Sequence, residues 1–173
     1  MVDRGAWWAV WLLVWGVLGA PMQAWAGPPG VITQKSQTAH YILVLQIGPE
    51  EKMYSKAEAA KLHPASGEVM VGGAMAAMPM AGMSMDTRHL ELHVLSRATG
   101  RVVTDARCSI TVTGHATAVS AGKTSAVPVG TMYGAAAGPA DWHYGSNVQM
   151  PAGSYTVAAV VNGERATFHV TVQ

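Results

Sequence analysis

The chain has one cysteine and one phenylalanine among its 173 residues, and only 12% of it is charged, with 11 Lys+Arg set against 10 Asp+Glu. A lone thiol excludes an internal disulfide, so Cys108 needs another role. Near-balanced charge argues against a nucleic-acid binder, because no broad basic surface can form without an acidic counterpart. No apolar run reaches the ~20 residues that a membrane-spanning helix requires. There is also no Ser nucleophile elbow, no His-Glu-x-x-His helix and no phosphate-binding glycine loop, so the sequence points away from an enzyme. What the chain does have is 50% apolar residues, 19 Gly and 11 Met. That apolar share excludes disorder throughout, and the methionine excess calls for a location.

The N-terminus accounts for part of it. Arg4 precedes an uncharged stretch over residues 6–20, followed by Pro21 and the small-residue run Ala24-Trp25-Ala26. This is the layout of a secretory signal peptide over residues 1–26, with a mature chain of about 147 residues starting near Gly27 and destined for the periplasm or the extracellular space. Export removes five of the six tryptophans and two methionines from the folding argument.

Turn signals and alternation divide the remainder. Residues 27–71 are expected to hold one apolar strand, Tyr41-Ile42-Leu43-Val44-Leu45-Gln46-Ile47, covered on both faces, and one short helix. That helix is announced by the capping-box spacing Ser55-Lys56-Ala57-Glu58 and stopped by His63-Pro64. Residues 72–87 are a Met-rich flexible segment. Residues 88–173 read as strands over 89–95, 101–103, 109–113, 127–133, 155–161 and 165–172, the last two joined by Asn162-Gly163, a strong hairpin signal. The expected fold is all-β, an immunoglobulin-like β-sandwich. Alternation puts Cys108 with Ile110 and Val112 as a small buried hydrophobe, and leaves His169 exposed beside Thr167 and Thr171.

The same rule isolates a chemical cluster. In His89-Leu90-Glu91-Leu92-His93-Val94 the leucines and the valine take the core face, so His89, Glu91 and His93 share the outward face with neighbours roughly 6–7 Å apart. Two imidazoles and a carboxylate on one rigid strand suit a first-row transition metal. A complete site needs donors from elsewhere. Met132, at the end of a strand, and His143, in a Gly/Pro-bounded loop with Trp142 and Tyr144, are the candidates.

His89-Leu90-Glu91, followed by Gly138-Pro139 and by His143-Tyr144-Gly145-Ser146-Asn147-Val148, resembles the periplasmic Fe2+ transport protein family of exported iron-uptake accessory proteins. The resemblance covers about residues 88–172. It implies an immunoglobulin-like fold, a copper site at His89, Glu91, Met132 and His143, a link to iron delivery through an inner-membrane metal permease, and a homodimer. Two departures stand out: a longer gap between Met132 and His143, and the tight Asn162-Gly163 hairpin where the family has a long loop with a further histidine. His93, His115 or a methionine would substitute for that histidine.

Met70, Met75, Met78, Met80, Met83 and Met85 crowd residues 69–85, in a Gly/Ala tract with too little bulk to pack as a regular element. Thioether is a neutral, soft donor that favours Cu(I), and exposed methionine gains little stability while oxidising readily. Met75 to Met85 are therefore read as a flexible Cu(I) capture arm beside the ordered site. The sequence thus points to an exported metal-binding protein handling copper, with iron as the linked cargo and nucleic acid excluded. The alternative is a non-metal interaction module of a cell-surface or transport assembly, with the Met tract as spacer.

Overall fold

The computed structural model describes residues 30–73, 86–115 and 122–173. Eleven strands lie in this part: β1 Ile32–Gln37, β2 Tyr41–Pro49, β3 Met53–Ser55, β4 Glu68–Gly73, β5 Thr87–Ser96, β6 Cys108–Gly114, β7 Thr124–Val127, β8 Gly130–Gly134, β9 Trp142–Gln149, β10 Gly153–Val161 and β11 Glu164–Val172. Among the described residues the one α-helix is α1, Lys56–Leu62, and a short 3-10 turn, Gly138–Asp141, precedes β9. The fold is all-β. The strands form a large seven-stranded sheet in the order β1-β2-β5-β9-β8-β4-β3 and a small four-stranded sheet in the order β11-β10-β6-β7.

Period-two alternation builds the core between the sheets. Leu43, Leu45 and Ile47 of β2 and Leu90, Leu92 and Val94 of β5 meet Ile110, Val157, Phe168 and Val170 of the small sheet, all nearly inaccessible to solvent. Each such side chain contributes about 1.5–3 kcal/mol relative to exposure. Cys108 packs against this core half-buried, and burial pushes its thiol up to about 12. On β11 the inward set is Ala166, Phe168, Val170 and Val172, while Thr167, His169 and Thr171 are exposed.

Ser55 caps α1 with the full capping box, its side chain accepting from the Glu58 amide and Glu58 accepting from the Ser55 amide. His63 ends it in the left-handed region. The β10–β11 hairpin turns through Asn162 and Gly163 with φ of 49° and 88°. Other expectations need correction. The strand expected over 127–133 is two strands in different sheets, because Pro128 has no amide to continue a ladder and Pro128-Val129 carries the chain across. Residues 101–103 reduce to a single bridge from Val102 to Leu95. β2 alternates buried and half-buried residues, so it is covered fully on one face only. β1, β3 and β4 have no counterpart among the expected strands, and β1 to β4 join β5, β8 and β9 in one sheet.

Candidate metal centre

Strands β5, β9, β8 and β4 assemble the site on the large-sheet face turned away from the core. On β5 the core takes Leu90, Leu92 and Val94, which sends His89, Glu91 and His93 to that face. On β9 the core takes Tyr144, which leaves His143, Gly145 and Asn147. Register then aligns the rows. His89 lies opposite Asn147 and Glu91 opposite Gly145; His143 lies opposite Met132, and Met132 opposite Met70. Glu68, two residues before Met70 on β4, shares its face.

The histidine of the expected site loop is therefore on a strand. Each position of His143-Tyr144-Gly145-Ser146-Asn147 has a separate task. Tyr144 anchors the strand from the core side, its hydroxyl accepting from the Ala106 amide at 2.8 Å and donating to the Val103 carbonyl at 3.1 Å. Gly145 allows β9 to press against β5: a Cβ there would lie 1.9 Å from the Leu90 carbonyl oxygen. Asn147 orients His89. Its amide nitrogen donates to the Glu51 carbonyl at 2.7 Å, and its oxygen accepts from the Glu51 amide at 3.3 Å. With the amide fixed in that sense, the oxygen faces Nδ1 of His89 at 3.0 Å as an acceptor.

Nδ1 of His89 accordingly carries the proton and Nε2 the lone pair. His143 follows the same rule, because its Nδ1 donates to the Asp141 carbonyl at 2.7 Å. Fixing one ring nitrogen so that the other is presented as a donor is how metal-ligating histidines are oriented. Both Nε2 atoms are buried and without a hydrogen-bond partner, as is Oε2 of Glu68. These are three of the six such side-chain atoms among the described residues, and their residues, Glu68, His89 and His143, each offer a ligand atom within 4.8 Å of the other two. Glu68 and His143 approach to 3.3 Å without the alignment of a hydrogen bond. A second trio, Glu91, His93 and His143, lies at the more exposed rim. There Nε2 of His93 stands 3.2 Å from Glu91.

Electrostatics separates the two buried imidazoles. Burial lowers the pKa of His89, against the opposing pull of Glu91 and Glu68. Burial also acts to lower His143, but the Glu68 carboxylate, the Glu91 charge and the Asp141 carbonyl outweigh it and raise the pKa. For Glu91 burial acts upward, and the surrounding histidines, His93 first, bring the value below the ordinary one. Glu51 is raised by burial and by the charges of Glu68 and Glu91. The cluster is thus rich in negative potential, which favours the protonated form of His143 while burial favours the neutral form of His89.

The structure brings together His89, Glu91, His93 and His143, with Met132 in the adjoining row. Met132 is fully buried, yet it lies outside the apolar core between the sheets. The expected solvent face of β5 needs correction, since His89 is 0% exposed. Met75, Met78, Met80, Met83 and Met85 lie outside the described residues, as does the expected signal peptide. His115 directly follows β6, a strand of the other sheet. Sequence reasoning missed Glu68, Asn147 and Met70 as parts of the site. The available signal was the short alternation Glu68-Val69-Met70-Val71 between Gly67 and Gly72-Gly73. Comparison of the chain with protein-family models, curated proteins and solved structures found no match.

Proposed function

We propose that this is an exported, non-enzymatic metal-binding protein that handles copper and assists iron uptake. One observation carries the reading: Glu68, His89 and His143 are buried and each offers a ligand atom within 4.8 Å of the others, while Nε2 of both histidines and Oε2 of Glu68 make no aligned hydrogen bond. Each unpaired buried polar atom costs about 1–3 kcal/mol. For His143 and Glu68 their mutual approach at 3.3 Å offsets part of that cost, and a ligand reached by all three residues would offset the remainder. A cation bound by all three does so.

Copper is the preferred cargo because imidazole and thioether are both good copper donors, and Met132 sits beside His143 with Met70 next in the row. Met75 to Met85 would supply a soft Cu(I) arm from the connection between β4 and β5. Glu68 favours a second reading within the same site. Two imidazoles and one carboxylate also form the donor set of non-haem ferrous iron, which fits passage of iron to an inner-membrane permease.

We also read the sandwich as immunoglobulin-like. The order β2-β5-β9-β8 facing β11-β10-β6-β7 corresponds to the ABED and GFC sheets, the latter extended by one strand. Tyr155, near the start of β10, donates its hydroxyl to the Pro151 carbonyl at 2.6 Å, as in a tyrosine corner. Parallel competition titrations with Cu(I) and Fe(II), on the wild type and on Glu68→Gln, test the assignment. Copper handling predicts tight Cu(I) uptake that survives Glu68→Gln, whereas an iron site loses Fe(II) with that change. Failure to bind either ion overturns both readings.

A further inference from the structure

The seven histidines sort by place. Three belong to the centre, His40 pairs with Glu164, and His63 caps α1. The remaining two, His115 and His169, meet on the outward face of the small sheet, on the opposite side of the sandwich. Nothing at the centre accounts for them.

Thr156 of β10 lies between the two rings. Its Oγ1 is 2.7 Å from Nε2 of His115 and 3.2 Å from Nδ1 of His169. Register produces this meeting, because Thr156 is opposite His169 on β11 and opposite Thr113 on β6, and His115 follows Thr113 by two residues. The backbone is held at both ends. The His115 amide donates to the Ser154 carbonyl at 2.9 Å, and Gln34 donates to the His169 carbonyl at 2.5 Å.

Two ring nitrogens that share one hydroxyl oxygen can be no further apart than their two distances combined. A threonine hydroxyl has one proton to donate and two lone pairs, so it can donate to one ring and accept from the other, or accept from both. In either case one nitrogen of each ring is held at the same hydroxyl. Both side chains are exposed, so metal binding needs no desolvation of a buried group. For a nitrogen site without thiolate, Cu(II) stands at the top of the divalent affinity order.

We infer that His115 and His169 form a second, solvent-facing site for Cu(II), bound by two imidazoles with water completing the coordination. The two sheets lie between it and the buried centre, roughly 10 Å apart face to face, so the sites share no ligand. This site does not depend on the reading of the centre.

The test is calorimetric titration of the full chain with Cu(II) at pH 7.5, with electron paramagnetic resonance of the loaded protein. His115→Ala and His169→Ala are each expected to take up one equivalent less than the wild type, with the melting temperature of the metal-free protein unchanged. The nitrogen hyperfine signature of that equivalent should disappear with it. His143→Ala should retain it. Unchanged Cu(II) uptake in either His115→Ala or His169→Ala overturns the inference, whatever happens at the centre.

Discussion

Nδ1 of His89 and the side-chain oxygen of Asn147 lie 3.0 Å apart across the β5–β9 pairing, and this contact decides which nitrogen of His89 faces the pocket. The Glu51 backbone fixes the sense of the amide, so Asn147 sets the orientation of His89 without itself belonging to the Glu68, His89 and His143 group. Asn147→Ala should therefore weaken metal binding by about 10–100-fold while removing no ligand. Competition titration against a chromophoric chelator measures this. Wild-type affinity in Asn147→Ala would show that the ring is positioned by something else.

Gly145 makes a stability prediction. A Cβ at this position meets the Leu90 carbonyl at 1.9 Å, and backbone, unlike a flexible side chain, cannot swing away. Gly145→Ala should cost about 1–3 kcal/mol or more and separate β5 from β9 at the site. Thermal unfolding and metal titration of the variant should fall together. A melting temperature equal to that of the wild type contradicts the close strand approach.

Much of this was legible in advance. Leu90, Leu92 and Val94 mark the core face of β5 so clearly that His89, Glu91 and His93 could be grouped without coordinates. His143 was found by its composition but placed on a loop, because glycine and asparagine in the motif disguise a strand whose site face is His143, Gly145, Asn147. Glu68 was not legible. Its strand is six residues long, and its role depends on β4 pairing with β8, a connection between distant segments that local patterning does not reveal.

Acid should test the burial of His89. Its folded pKa is lowered, so the unfolded chain, with an ordinary histidine value near 6.5, binds that proton more readily. The contribution of His89 to the stability of the metal-free protein must then fall as the pH drops below about 6.5. His143 has the opposite sign: its raised pKa contributes stability below the unfolded value, and this is lost as pH rises through the folded one. His89→Gln removes the first effect alone, so urea unfolding at pH 7.5, 6.0 and 5.0 should show a flatter acid-side decline than in the wild type. Equal slopes contradict the assignment.

Cys108 should be inert in the folded protein. With its thiol pushed up to about 12 by burial, the native chain at pH 8 holds on the order of a thousandfold less thiolate than the unfolded one. A chromogenic disulfide reagent should label it slowly under native conditions and within seconds in denaturant. Rapid native labelling would assign Cys108 a reactive role.

The central claim is that the buried pocket between β5, β9 and β4 holds copper through His89 and His143, with Met132 beside them. X-ray absorption of the Cu(I)-loaded full chain, compared between the wild type and a His89→Ala/His143→Ala double variant, tests it most directly. The account predicts imidazole nitrogen together with sulfur scattering in the wild type, and loss of the nitrogen component in the variant. Sulfur scattering alone in both proteins would place copper on methionines outside the pocket and contradict it.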